Sequence, residues 1–338
     1  MPSTRGLSVF IAAVILSVPA GVGATSLLPG DILAVGAGIV GDGIVRVDPV
    51  TGAQSLIAAG DFSDVAVGSR FLYATSGDSL LRINPATGAQ KTITSGGYLA
   101  DAAGVSIGPS GEIFVLELTG LGADRGIVRV DPLTGAQSAH SIGGLLDSGV
   151  SFVFDLEADP NGFPIVLDNQ FPEGSRSEPE FVRIDPISGV QTEILYSPTG
   201  GNRSPTVVVG LGVAPDGDLY ASDSGFLGTG VWRIDPETGQ LTAIGGITIF
   251  SGDQFFELYP VHDIVLDESG RVLVTTLAYS GPAHGIYEIP FGMGPNPEPL
   301  SEGEFTELQV VRHALVPEPS TALLLGIGLV GLGAYRRH

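Results

Sequence analysis

The chain has no cysteine among its 338 residues. That excludes a disulfide framework, a thiolate nucleophile and any cysteine metal site. It has a single lysine, Lys91, and only 15 Lys and Arg against 37 Asp and Glu, for a net charge of −22. Nucleic acid is thereby excluded as a partner, because phosphate binding needs a basic surface. An acidic surface instead keeps an exported protein soluble and gathers cations. The five histidines (140, 262, 284, 313 and 338) show no metal-ligand spacing. No nucleophile–base constellation is present, so no catalytic residue is assigned. Long amphipathic helical patterns are also missing, while Gly (50) and Pro (24) are abundant. That balance suits many short strands joined by tight turns.

A seven-residue phrase recurs down the chain. It reads RVDPVTG at Arg46–Gly52, RINPATG at Arg82–Gly88, RVDPLTG at Arg129–Gly135, RIDPISG at Arg183–Gly189 and RIDPETG at Arg233–Gly239. A worn copy, YEIPFG, follows at Tyr287–Gly292. The residues before Pro alternate as in a strand, with Arg and Asp on one face. Asp-Pro-x-Thr-Gly then turns the chain: Pro presets φ, the Asp or Asn side chain bonds backbone amides, and Gly supplies positive φ. A second strand opening on Gln follows, so each phrase predicts a β-hairpin. The phrase Arg and Asp are expected to pair with each other on the sheet face.

Upstream lies a second unit: DVAVGSR at Asp64–Arg70, GVSIGPSG at Gly104–Gly111, DLEADPNG at Asp155–Gly162, GLGVAPDG at Gly210–Gly217 and DIVLDESG at Asp263–Gly270. Each period therefore holds four short strands. The phrase starts at 46, 82, 129, 183, 233 and 287, giving intervals of 36, 47, 54, 50 and 54. Four strands per period of this size predict an all-β chain folded as a six-bladed β-propeller of four-stranded blades, with five or seven blades, or a parallel β-solenoid of usually shorter and more regular repeats, as the alternatives. Residues 119–125, 169–180 and 222–229 are expected as loops inserted between second and third strands. The first period lacks an inner strand before Ile32–Val35, whereas the last is expected to be complete through Phe305–Arg312. A ring leaves no free edges, so residues from the two ends are expected to share a blade. Units such as APDGDLYASDSG (Ala214–Gly225) and VWRIDPETG (Val231–Gly239) resemble NHL and gluconolactonase/regucalcin-like propellers, and also virginiamycin B lyase-like ones, over roughly residues 30–312.

The ends carry a different message. Arg5, an apolar run from Leu7 to Val18 and Val22-Gly23-Ala24 read as a signal peptide over residues 1–24, cut before Thr25. A propeller over 25–315 precedes a segment at 316–338. There Pro317-Glu318-Pro319 is followed by the apolar stretch Ala322–Ala334 and by Arg336 and Arg337. As a short helix that stretch would span roughly 20 Å. Pro-Glu-Pro, short apolar helix and basic end together resemble the PEP-CTERM sorting signal. The resemblance implies a Gram-negative host, an exosortase-type processing enzyme as partner and transient anchoring in the membrane through the C-terminal helix.

Two functions are open on these grounds. One is an exported, surface-sorted propeller that binds or scaffolds in an extracellular polysaccharide matrix, with polysaccharide or another surface protein as partner. The other is a metal-dependent lactonase-like hydrolase or lyase, with its site in the propeller channel. The first is favoured by the missing catalytic constellation. For the second, the inner-strand acids Asp64, Asp155 and Asp263 are candidate ligands for Ca²⁺, with Asp168 and Asp223 near second-strand ends. Gly104 and Gly210 stand where two further acids would complete a ring.

Overall fold

The computed structural model describes residues 27–108, 110–122, 124–147, 151–170, 178–198, 208–223, 230–245, 250–251, 254–255, 261–267, 269–276, 284–289 and 300–312. The signal peptide, the cleavage position, Pro317-Glu318-Pro319, the apolar stretch, Arg336 and Arg337 lie outside the described residues. Apart from one short 3₁₀ turn at Gly144–Asp147, regular structure among the described residues is strand. Three antiparallel sheets of four strands run in sequence order: residues 64–95, 102–142 and 151–193. A fourth, over 208–245, gains a parallel fifth strand from Ser197–Pro198.

The remaining large sheet has seven strands, and it contains both ends of the described chain. Ser301–Val310 joins its two parts. Ser301 and Glu302 pair with Ile286 and Gly285, completing the final repeat. From Gly303 to Val310 the same strand pairs with Gly38–Ile32 and becomes the missing first strand of the first repeat. The expectation that the last repeat runs on through Phe305–Arg312 is thus corrected. Only the first two residues of that strand serve the final repeat; the rest close the ring.

The first strands of successive sheets pack side by side: Asp64–Val67 on Ala102–Ile107, then Ser151–Ala158, Val208–Val213, Val261–Leu266, Ser301–Val310 and back to Asp64–Val67. The sheets stand around a common axis as in a β-propeller. Core residues lie between sheets. In Ile32–Val35, Ile32 and Ala34 pack with the 261–289 strands, while Leu33 and Val35 pack with the 64–95 sheet. Successive side chains point to opposite faces, so a sheet buried on both faces needs an unbroken apolar run such as Ile-Leu-Ala-Val.

The recurrent phrase holds neighbouring sheets together. In the first copy Asp48 Oδ1 accepts the amides of Val50 (3.0 Å) and Thr51 (2.9 Å), and Gly52 N donates to Asp48 O at 2.9 Å. Asn84, Asp131, Asp185 and Asp235 repeat the arrangement. Because this carboxylate is spent on turn amides, the expected Arg–Asp pairing within the phrase does not form. Arg46 instead makes a two-point contact with Asp31 (2.7 and 2.8 Å), and Arg129, Arg183 and Arg233 pair with Glu112, Asp159 and Asp218. Arg82 lies over the Phe71 ring.

The phrase glycine has a second duty besides positive φ. A Cβ at Gly189 would lie 2.1 Å from His140 O of the preceding sheet, and one at Gly135 would lie 2.4 Å from Ile93 O. Beyond it, the Gln that opens the next strand reaches back to the same neighbour. Gln191 Nε2 donates to Ser141 Oγ (3.0 Å) and Gly143 O (2.8 Å), and its Oε1 accepts Leu145 N at 2.7 Å. Gln54, Gln90 and Gln137 make corresponding bridges. In the fifth copy Leu241 takes that position, and Ser197–Pro198 pairs directly with Gln240–Leu241. One expected loop is also corrected: residues 119–125 lengthen a hairpin, Ile113–Leu121 with Asp124–Val130, turning at Gly122.

Candidate functional site: an acidic cluster on the axis

Asp64, Asp155 and Asp263 each lie on a first strand. All three do the same local work. One oxygen accepts the amide of the following residue: Val65 at 2.5 Å, Leu156 at 2.7 Å, Ile264 at 2.6 Å. The other accepts an amide of the next first strand: Val105 at 2.6 Å, Leu211 at 2.8 Å, and Leu308. Each carboxylate thus ties two neighbouring first strands, whose facing edges offer amides without ladder partners.

Of the two glycines at the corresponding level, Gly104 does not leave a gap. The Asp64 carboxylate comes down beside Gly104, where a Cβ would lie 2.9 Å from Leu156 Cβ and 3.7 Å from Asp64 Oδ2. At the next position round the ring, on the strand that closes it, stands Glu307. Going round the axis, the level reads Asp64, Gly104, Asp155, Gly210, Asp263, Glu307.

The structure brings two of the three candidate ligands together and adds a third acid. Oxygens of Asp155, Asp263 and Glu307 lie within 4.8 Å of one another. Asp64 is outside that group, although the Asp155 charge acts on it. Glu157, two residues beyond Asp155 and hence on the same strand face, adds a fifth carboxyl whose Oε1 accepts Gln309 Nε2 at 3.4 Å. Arg312 donates to Val213 O and is the cation that favours the ionised form of Glu157. Asp168 stands one strand away from the axis, opposite Glu180. Asp223 ends a second strand opposite Val208 and Gly230.

Burial raises all five axial acids above the usual carboxylate range, and repulsion by acidic neighbours adds to it at Asp64, Glu157, Asp263 and Glu307. Asp64 is pushed up to about 7, by burial first and the Asp155 charge second. Burial also pushes Asp155 up to about 6, against the two amides it accepts. Asp263, Glu157 and Glu307 are raised as well, each by burial and then by its acidic neighbours. Like charges this close share protons or gather a cation.

Sequence reasoning found the three aspartates and missed Glu157, Glu307, Gln309 and Arg312. Glu157 was within reach, because residues two apart share a strand face. Glu307, Gln309 and Arg312 sit on the closing strand, whose place in the ring no local pattern reveals.

Comparison with known proteins gives one match to a family model: residues 315–337 match the PEP-CTERM protein-sorting motif. That motif implies an exported protein, transiently anchored in the membrane before exosortase cleavage. No curated protein matches the chain. Among solved structures, the chain is similar to TolB from Acinetobacter baumannii at 14% identity and a TM-score of 0.54, covering 82% of this chain and 66% of that one. It is similar to a chain of a nidogen/laminin complex at 13% identity and a TM-score of 0.57, covering 84% and 99%. A putative 6-phosphogluconolactonase from Bacteroides uniformis follows at 14% identity and 0.52, covering 84% and 100%. At these identities the likeness shows the β-propeller fold alone.

Proposed function

We propose that this exported, surface-sorted β-propeller works as a binding or scaffold module in an extracellular polysaccharide matrix, with polysaccharide or another surface protein as its partner. In this reading it has six blades. Residues 1–24 are a cleaved signal peptide, and Ala322–Ala334 form the short helix held in the membrane by Arg336 and Arg337. The sorting motif at 315–337, attached directly to the closing strand, carries the proposal. On the axis, the acid oxygens within 4.8 Å of one another are spaced to hold an ion.

The test is made in an exosortase-bearing Gram-negative host. The mature protein is expected at the cell surface, shortened at its C-terminus so that Arg336 and Arg337 are gone by mass spectrometry. Replacing Pro317-Glu318-Pro319 by alanines is expected to leave the full chain in the membrane fraction. A mature surface protein that retains Arg336 and Arg337 counts against the sorting role.

A second reading concerns the cluster itself. Ca²⁺ or a similar hard cation would be held by Asp155, Asp263 and Glu307, with Asp64 adding charge from outside the group. Ca²⁺ takes six to eight oxygens. Three protein carboxyls, two already accepting amides, leave most positions to water, so the binding proposed is weak.

A further inference from the structure

We propose that the propeller face carrying the phrase turns docks on the lipid bilayer while the chain is anchored, through the exposed aliphatic tips Val50, Leu133 and Ile187. The proposal rests on the membrane-anchoring reading of the C-terminal motif and says which way the propeller then faces.

Both ends of the described chain emerge on that face. Ile32 is in register with both Val47 and Val310, so the start of the first strand, the end of the phrase strand and the end of the closing strand lie together. Gly30 N donates to Val311 O at 2.8 Å, and Val311 N to Asp31 O at 2.9 Å. The phrase turn of the first repeat follows directly at Asp48–Gly52. The turns at 131–135 and 185–189 stand at the same end, since Arg129 and Arg183 beside them pair with Glu112 and Asp159 of the turns that follow the first strands. Only residues 313–321 separate Arg312 from the apolar stretch. Nine residues reach at most about 30 Å. The face through which the chain leaves is therefore kept within about 30 Å of the bilayer whenever that stretch is embedded.

The third residue of the turn, DPxTG, has no packing reason to be apolar. Its sister copies carry Ala86 and Glu237 there. Yet Val50, Leu133 and Ile187 are 84%, 91% and 88% exposed, the highest values among the exposed large apolar residues described. Leu28 and Val190 add to the same face. At the opposite end, Ile39 is on the hairpin tip where Gly38 meets Gly41. The arginines beside the docking turns are paired with acids, so attraction to anionic headgroups does not drive the contact. Apolar tips entering the interfacial layer of a zwitterionic bilayer fit this arrangement.

The absence of cysteine makes the test direct. Single-cysteine variants of the full chain (Val50→Cys, Leu133→Cys, Ile187→Cys, and Ile39→Cys as control) carry a nitroxide label and are reconstituted in phosphatidylcholine vesicles. The three turn labels are expected to gain severalfold in accessibility to oxygen relative to a water-soluble nickel chelate; the Ile39→Cys label stays unchanged. In a chain with Val50→Ser, Leu133→Ser and Ile187→Ser together, a label at Ala86→Cys is expected to lose the oxygen gain it shows otherwise. These tips are exposed, so the serine variants fold. Turn labels as water-accessible as the control in a chain that floats with the vesicles overturn the docking alone. Turn labels shielded from both reagents also overturn it, because they indicate a protein partner. A chain that does not float overturns the anchoring reading and the docking with it.

Discussion

Stability should fall as pH rises from 5 to 8, because folding forces acids together on the axis. Asp64 has an ordinary value of 3.8 and stands at about 7 in the folded chain. Asp155 stands at about 6. A group with a raised folded value binds more protons folded than unfolded between its two values, so stability is lost as pH rises through that window. At about 1.4 kcal/mol per tenfold in proton affinity, Asp64 alone represents about 4 kcal/mol and Asp155 about 3. The acids share protons, so their contributions sum to less than the total. A net loss of about 3 kcal/mol would lower Tm by roughly 6–12 °C. The turn aspartates do not interfere. Asp48, Asp131, Asp185 and Asp235 are held below the usual range by backbone amides and, at Asp235, by the Thr238 hydroxyl. Their contribution is present above about pH 4 and is lost only below it. The assay is calorimetric melting at pH 5, 6, 7 and 8 in chelator. Glu307→Gln removes one charge from the group and is expected to flatten the slope and raise Tm at pH 8. A Tm that is constant or rises over this range, or a slope unchanged in Glu307→Gln, would refute the reasoning.

Four further outcomes follow from the same structure. Millimolar Ca²⁺ should raise Tm at pH 8, where the acids are ionised, and do little at pH 5; equal shifts at both pH values would speak for nonspecific binding. Gly189→Ala should cost well over the ~1–2 kcal/mol of a left-handed alanine, since its Cβ meets His140 O, whereas Gly77→Ala, with nothing within 4 Å, should cost only that. Equal losses in urea melts would remove the glycine's inter-sheet role. Gln191→Ala should destabilise by about 2–3 kcal/mol, as it removes three hydrogen bonds between sheets; a loss below 0.5 kcal/mol (roughly that of a neutral surface change) would show that water replaces them. Asp31→Ala should cost about 3 kcal/mol by leaving partly buried Arg46 unpaired, and Asp31→Asn should recover part of it by equilibrium unfolding.

The sequence by itself determined the elements. Alternation before each Pro, Asp or Asn to hold the turn amides and Gly at positive φ are local chemistry, so five hairpins and a propeller of four-stranded sheets could be read directly. The three axial aspartates were legible as well, because they open the same unit in three repeats. The PEP-CTERM resemblance needed no fold at all. Tertiary structure decided what each side chain meets. Arg46 passes over its phrase neighbour Asp48 for Asp31, because Asp48 is already held by two amides. Gln54 bridges to Ser301, 247 residues away, one of the two residues of the closing strand that serve the final repeat. Above all, ring closure divides Ser301–Val310 between two repeats and sets Glu307 beside Asp155 and Asp263. Repetition encodes each sheet through neighbouring residues, but the last strand can take either place by local pattern alone. Only burial of both faces of the first sheet, against residues from the other end of the chain, selects one.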